Sequence, residues 1–134
     1  MSVSERKMNS WNYQAAKRSS SLLLTESIID ALTLIDRGLH DVMPCYGVYG
    51  LTDELLQHLE QCNIKDVTLC FDGDEAGQRG VKKASEQLRK KNITVHIASL
   101  PEGEDINSFL NCHPLESFQA LLNQANSDNA QCHL

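Results

Sequence analysis

Carboxylates recur at three points of the chain, each just after an apolar run. Glu26 follows Leu22-Leu23-Leu24-Thr25, with Asp30 one helical turn later. Asp72, Asp74 and Glu75 follow Thr68-Leu69-Cys70-Phe71, with Gly73 between the two aspartates. Glu102, Glu104 and Asp105 follow the stretch Ile93 to Leu100. These are eight of the 18 acidic residues. Like charges a few ångströms apart raise one another's pKa and cost stability, so such a cluster is tolerated where a cation neutralises it. Hard oxygen donors select Mg²⁺, Mn²⁺ or Ca²⁺, and Mg²⁺ uses one or two carboxylates with waters and substrate phosphates. The pattern points to metal-dependent phosphate chemistry.

Several of these residues also have a purely local reading. Asp30 has the spacing of the acidic third residue of a capping box opened by Ser27. Asp74 is a candidate helix N-cap, a role compatible with metal ligation. Glu102 and Glu104 read as solvated loop charges. Glu26 and Asp72 lack such a reading, because a carboxylate directly after a buried strand serves neither a helix nor solvation. Gly73 is expected to make a tight turn with positive φ that aims both aspartates at one point. Gly77 and Gly80 fall inside a predicted helix, where each costs about 1 kcal/mol relative to alanine. They imply close helix–sheet packing or close approach of a substrate, with ordinary packing the reading for Gly80. Arg79, Lys82 and Lys83 share a face of that helix near the acidic pair. They are candidates for contact with nucleic-acid phosphates, or simply a solvated face. Arg89, Lys90 and Lys91 fall in its last turns, where cations suit the helix dipole.

The elements that must position these groups alternate between strand and helix. Leu22 to Thr25 is too short for a buried helix and reads as a buried strand. A helix follows Ser27 and stops at Gly38. Asp41 to Val48 is a second strand, which Pro44 demotes to an edge. Thr52 caps a helix ending near Asn63, and Val67 to Phe71 is the third strand. Glu75 to Lys91 is a helix, Ile93 to Leu100 the fourth strand, and further helices start after Asp105 and Pro114. Short strands separated by helices imply a parallel four-stranded sheet with helices on both faces. Ligands of such α/β sheets bind beyond the carboxyl ends of the strands, where the carboxylates lie. Residues 1–20 read as a polar tail or linker, 21–123 as one domain and 124–134 as a second tail.

Composition narrows the class. In 134 residues, 41% are apolar and 22% charged, enough for a packed core. The apolar runs are far shorter than the roughly 20 residues a membrane helix needs. No secretory leader pattern opens the sequence. Five cysteines without a C-x-x-C pair argue against a disulfide scaffold or zinc ribbon and for reduced thiols. The expected location is cytoplasmic. A net charge of −6 argues against a simple phosphate-backbone binder and leaves open a protein that reaches phosphates through bound metal.

The motifs, taken together, resemble a family. Leu22 to Leu32 resembles the first motif of the Toprim domain shared by topoisomerases and primases. Cys70-Phe71-Asp72-Gly73-Asp74-Glu75-Ala76-Gly77 is similar to its D-x-D motif in the form found in DnaG-type bacterial primases and primase-helicases. Tyr46-Gly47-Val48 followed by Thr52 resembles the glycine-bearing loop after the second strand. Leu100 to Leu110 resembles the primase segment P-x-G-x-D-x-D. The resemblance implies a Rossmann-like Toprim fold and a nucleotidyltransferase of DNA replication that makes RNA primers with Mg²⁺ or Mn²⁺. It implies Glu26 as acid/base group and Asp72 and Asp74 as principal metal ligands, with Asp30 and Asp105 as further acidic members. Single-stranded DNA, nucleotide triphosphates and a helicase or other replication domains are the implied partners. Two departures stand out: Ser27 replaces the family's glycine, and Asn107 replaces its last aspartate, offering a neutral oxygen that weakens or removes a second metal site. Primases also carry a zinc module, a further polymerase subdomain and a helicase-binding part. These 134 residues are therefore expected to be a fragment or a small protein working with partners. Alternatives within the family are a phosphodiester-cleaving nuclease and a non-catalytic Toprim binding module.

Overall fold

The structure is a computed structural model that describes residues 21–45 and 51–132, with side chains of the last helix to Ala125. The N-terminal tail and the Tyr46 to Val48 loop lie outside the described residues. β1 (Ser21–Thr25), α1 (Ile28–Asp36), β2 (Val42–Pro44), α2 (Asp53–Gln61), β3 (Asp66–Cys70), α3 (Glu75–Arg89), β4 (Thr94–Ile97), α4 (Ile106–Cys112) and α5 (Leu115–Cys132) follow in that order. The four strands form one parallel sheet in the order β2-β1-β3-β4.

Side-chain alternation along the strands divides the core into two layers. Leu22 and Leu24 of β1, Val67 and Leu69 of β3 and Val95 of β4 pack on one face with Leu55, Leu56 and Leu59 of α2 and Ala84 and Leu88 of α3. Leu23, Val42 and Cys70 face the other way, against Ala31 and Leu34 of α1, Ile106, Phe109 and Leu110 of α4, and Phe118 and Ala125 of α5. Both faces of the sheet are thus covered by helices, as the alternating pattern implies.

Local chemistry sets the element ends. Ser27, Thr52, Asp74 and Asp105 are the N-caps of α1 to α4, and each side chain accepts from a main-chain N–H three residues on. α1 ends where Gly38 takes φ +105° and the Leu39 N–H returns to the Leu34 carbonyl at 3.0 Å. β2 is the edge strand that Pro44 implies, although it spans three residues where a longer strand was expected. β4 is also shorter than the apolar run Ile93 to Leu100 suggests, because the chain leaves the ladder after Ile97.

One boundary differs. Residues 124–132 continue α5 where the polar composition suggested a tail. Ala125 is buried in the second core layer, and that contact carries the helix past the point where composition turns polar.

Leu69 is fully buried at the centre of the sheet. Leu69→Ala is expected to lower the unfolding free energy by about 2–5 kcal/mol, read from chemical denaturation.

Candidate metal centre

Parallel pairing puts the ends of β1 and β3 side by side, with Thr25 opposite Cys70. The chain leaves β1 towards β2 on one side and enters β4 from β3 on the other, so the crevice lies where the strand order reverses. Glu26 and Asp72 emerge into it. The Asp72 main-chain N–H donates to the Glu26 carboxylate at 3.1 Å, which joins the two strand ends directly. Thr25, fully buried, donates its hydroxyl to the Ser27 carbonyl at 2.9 Å and fixes the turn that carries Glu26.

The other carboxylates arrive through helix caps. Asp74 accepts from the Gly77 N–H at 2.7 Å as N-cap of α3. Asp105 caps α4, accepting from the Ser108 N–H at 2.7 Å while the Ser108 hydroxyl accepts from the Asp105 N–H at 3.0 Å. Each of these Asp74 and Asp105 contacts engages one carboxylate oxygen. Asp30 is only 4% exposed. The Ser27 hydroxyl oxygen accepts from its N–H at 3.2 Å, and the same hydroxyl favours the charged form of its carboxylate.

The loops are held by backbone contacts that exclude side chains. The Gly73 N–H donates to the Glu104 carbonyl at 2.8 Å, and the Gly103 N–H donates to the Gly73 carbonyl at 2.7 Å. A Cβ on Gly73 would lie 2.2 Å from the Pro101 carbonyl oxygen. Gly73 is not among the positive-φ residues, so the expected left-handed turn is corrected. Glycine is required here by the approach of a second loop. At Gly77 a Cβ would meet the Asp72 carbonyl at 2.1 Å, which lets the first turn of α3 sit against the strand end. Gly80 packs against the Phe71 ring.

Electrostatics show which acids share a space. Asp72 is pushed up to about 6, first by burial and then by the charges of Glu26, Asp30, Asp74 and Asp105. Asp30 is raised as well, by burial first, with Asp105 and Glu26 adding to it. The five carboxylates implied as metal ligands therefore lie in one field. Glu75 belongs elsewhere, pairing with Arg79 at 3.3 Å on the exposed face of α3. Arg79 is thus engaged within its own helix, and Lys82 and Lys83 are exposed beyond it. Among the thiols, burial pushes Cys45 and Cys70 up to about 12, helped by Glu26 at Cys45 and by Asp30 and Asp72 at Cys70. Both stay protonated and add no charge.

Among the described residues, no three acidic, histidine or cysteine side chains close round a point as a ready-made cage. The donor set fits an open site instead. Mg²⁺ dehydrates reluctantly and is usually held by one or two carboxylates, with water and phosphate completing the shell. The Asn107 Oδ1 accepts from the Thr33 hydroxyl. The sequence offered no signal for this pairing, which spans α1 and α4.

This arrangement coincides with a family assignment. A family model described as Toprim-like matches residues 23–110, well over half of the chain. The chain belongs to the Toprim-like family. It is 29% identical over 108 residues to the DNA primase of Chlamydia pneumoniae, an alignment covering 81% of this chain and 18% of that protein. The Aquifex aeolicus primase structure, containing zinc-binding and RNA polymerase domains, superposes with a TM-score of 0.76 at 28% identity, covering 85% of this chain and 28% of that one. A DnaG primase catalytic domain bound to single-stranded DNA gives a TM-score of 0.68 at 26% identity, over 80% of this chain and 35% of that one. The Toprim-like chain is therefore similar to the catalytic region of bacterial primases and spans 17–18% of the length of the primases it matches in sequence. Among the described residues no helix is long and apolar enough to cross a membrane.

The Asp72 shift predicts a pH signature. Its folded-state value of about 6 exceeds the ordinary 3.8, so the folded chain binds the proton more tightly. That stabilising proton is fully present below 3.8 and is lost as pH rises through 6. In chelator, Asp72→Asn is expected to melt above wild type at pH 7. The margin shrinks as pH falls through 6. Parallel Tm–pH curves for the two chains would refute the raised Asp72 pKa.

Proposed function

We propose that the crevice between β1 and β3 holds Mg²⁺ or Mn²⁺ and serves nucleotidyl transfer in a DNA primase-like protein of the cytoplasm. The observation that carries this reading is the convergence of four carboxylates on Asp72, whose pKa is pushed up to about 6 by burial first and by their charges second. A divalent cation relieves that repulsion and keeps Asp72 ionised.

Asp72 and Asp74 are the principal ligands in this reading. The cap contact of Asp74 leaves its second oxygen for the ion. Asp30 and Asp105 complete the negative field, and the Asp72 N–H orients Glu26. Glu26 serves as a ligand or accepts a proton from the attacking hydroxyl. When bound, the metal orients phosphate oxygens and neutralises charge developing in an in-line displacement. Arg79, Lys82 and Lys83 line the outer face of α3, where they would meet phosphates of a nucleic-acid strand. Arg79 must first release Glu75, an exposed pair that costs little to break. Nucleotide triphosphates and single-stranded DNA are the proposed substrates, and the DNA-bound primase relative supports the second of these. A helicase or other replication domains would supply what this region lacks.

Calorimetric titration with Mn²⁺ should give a saturable binding heat for wild type and none for Asp72→Asn. Identical traces would leave a non-catalytic binding module. With a labelled primed single strand, nucleotides and Mn²⁺, the chain alone should extend the primer weakly or not at all. Extension should appear when it is joined to the neighbouring domains of a primase. Shortening of the strand would replace the proposal with a nuclease.

A further inference from the structure

Helices α1 and α4 meet beside the acidic cluster, and one polar contact joins them across 74 residues of sequence. The Thr33 hydroxyl donates to Asn107 Oδ1. Thr33 lies one turn after Asp30 on α1, and Asn107 lies two residues after Asp105 at the start of α4. The contact therefore ties together the two segments that carry these acids. The Asn107 main-chain N–H also faces the Asp30 carboxylate and favours its charged form. Arg37 adds a longer tie, with Nη2 donating to the Leu110 carbonyl at 3.4 Å.

Asp30 and Asp105 repel each other, and the Thr33–Asn107 contact opposes their separation. Resting on the metal reading above, we infer that Thr33 and Asn107 form a positioning clasp that holds together, beside the metal site, the α1 and α4 segments carrying Asp30 and Asp105, with Asn107 itself outside the ligand set. The side-chain chemistry suits this role. The Thr33 hydroxyl has one proton and also lies 2.9 Å from the Ile29 carbonyl. An amide can accept from that hydroxyl or, turned over, donate to it while the proton goes to Ile29. A carboxylate at the same position could only accept, and it would add charge to an already crowded field.

The test compares Mn²⁺ affinity, by electron paramagnetic resonance of the free ion, with Tm for Thr33→Val, Asn107→Ala, their double mutant and Thr33→Ser. Each of the first two should weaken Mn²⁺ binding about 10-fold, the size typical of losing a group that orients a ligand. The double mutant should bind no worse than the weaker single, because both changes open the same clasp. Thr33→Ser keeps the hydroxyl and should restore wild-type affinity. A fall in Tm with unchanged affinity would make the contact merely structural and overturn the inference. Weakening by Asn107→Ala but not by Thr33→Val would overturn it in favour of direct ligation. Failure of the wild type to bind Mn²⁺ would instead sink the metal reading and this inference with it.

Discussion

Glu26 and Asp72 close neighbouring parallel strands, and the Asp72 amide is bound to the Glu26 carboxylate at 3.1 Å. One hydrogen bond thus fixes the meeting of two chain segments 46 residues apart and brings their charges into the same small space. The surrounding features either deliver further carboxylates to that space or keep the loops from drifting away. Asp74 and Asp105 arrive as helix caps, so the contacts that start α3 and α4 also aim acids at the crevice. The Gly73 and Gly103 amides stitch the two loops together, at a distance that a side chain on Gly73 would prevent.

The cost of this arrangement is visible in Asp72, whose proton is held up to about pH 6. A protein selected for stability alone would spread such charges over its surface. Their convergence at the sheet's carboxyl edge, where α/β folds place ligands, gives the crowding a purpose. Neutral groups fill the gaps between the acids. Cys45 and Cys70 remain thiols, and Ser27, Thr33 and Asn107 contribute hydrogen bonds without charge.

Much of this was legible in the sequence because it rests on local rules. The four N-caps follow from Ser27, Thr52, Asp74 and Asp105 standing directly before helical periodicity. The edge position of β2 follows from Pro44, and the Toprim resemblance follows from motifs in the right order. What escaped depends on distant partners. The sequence marks Gly73 for a left-handed turn, whereas the requirement for glycine comes from the Pro101 carbonyl that meets it. The contact of Asn107 with Thr33 appears only when α1 and α4 are brought together. The extension of α5 is set by burial of Ala125, which the polar composition around it conceals.

The central claim is that acids from separate strands and helices converge on an open crevice where a divalent ion binds with one or two of them and with water or phosphate. Anomalous diffraction at the manganese edge from crystals soaked in Mn²⁺ tests it most directly. A strong peak in the crevice, within coordination distance of Asp72 and flanked by Glu26 and Asp74, is the predicted result. A peak elsewhere on the molecule, or an empty crevice at saturating Mn²⁺, would contradict it.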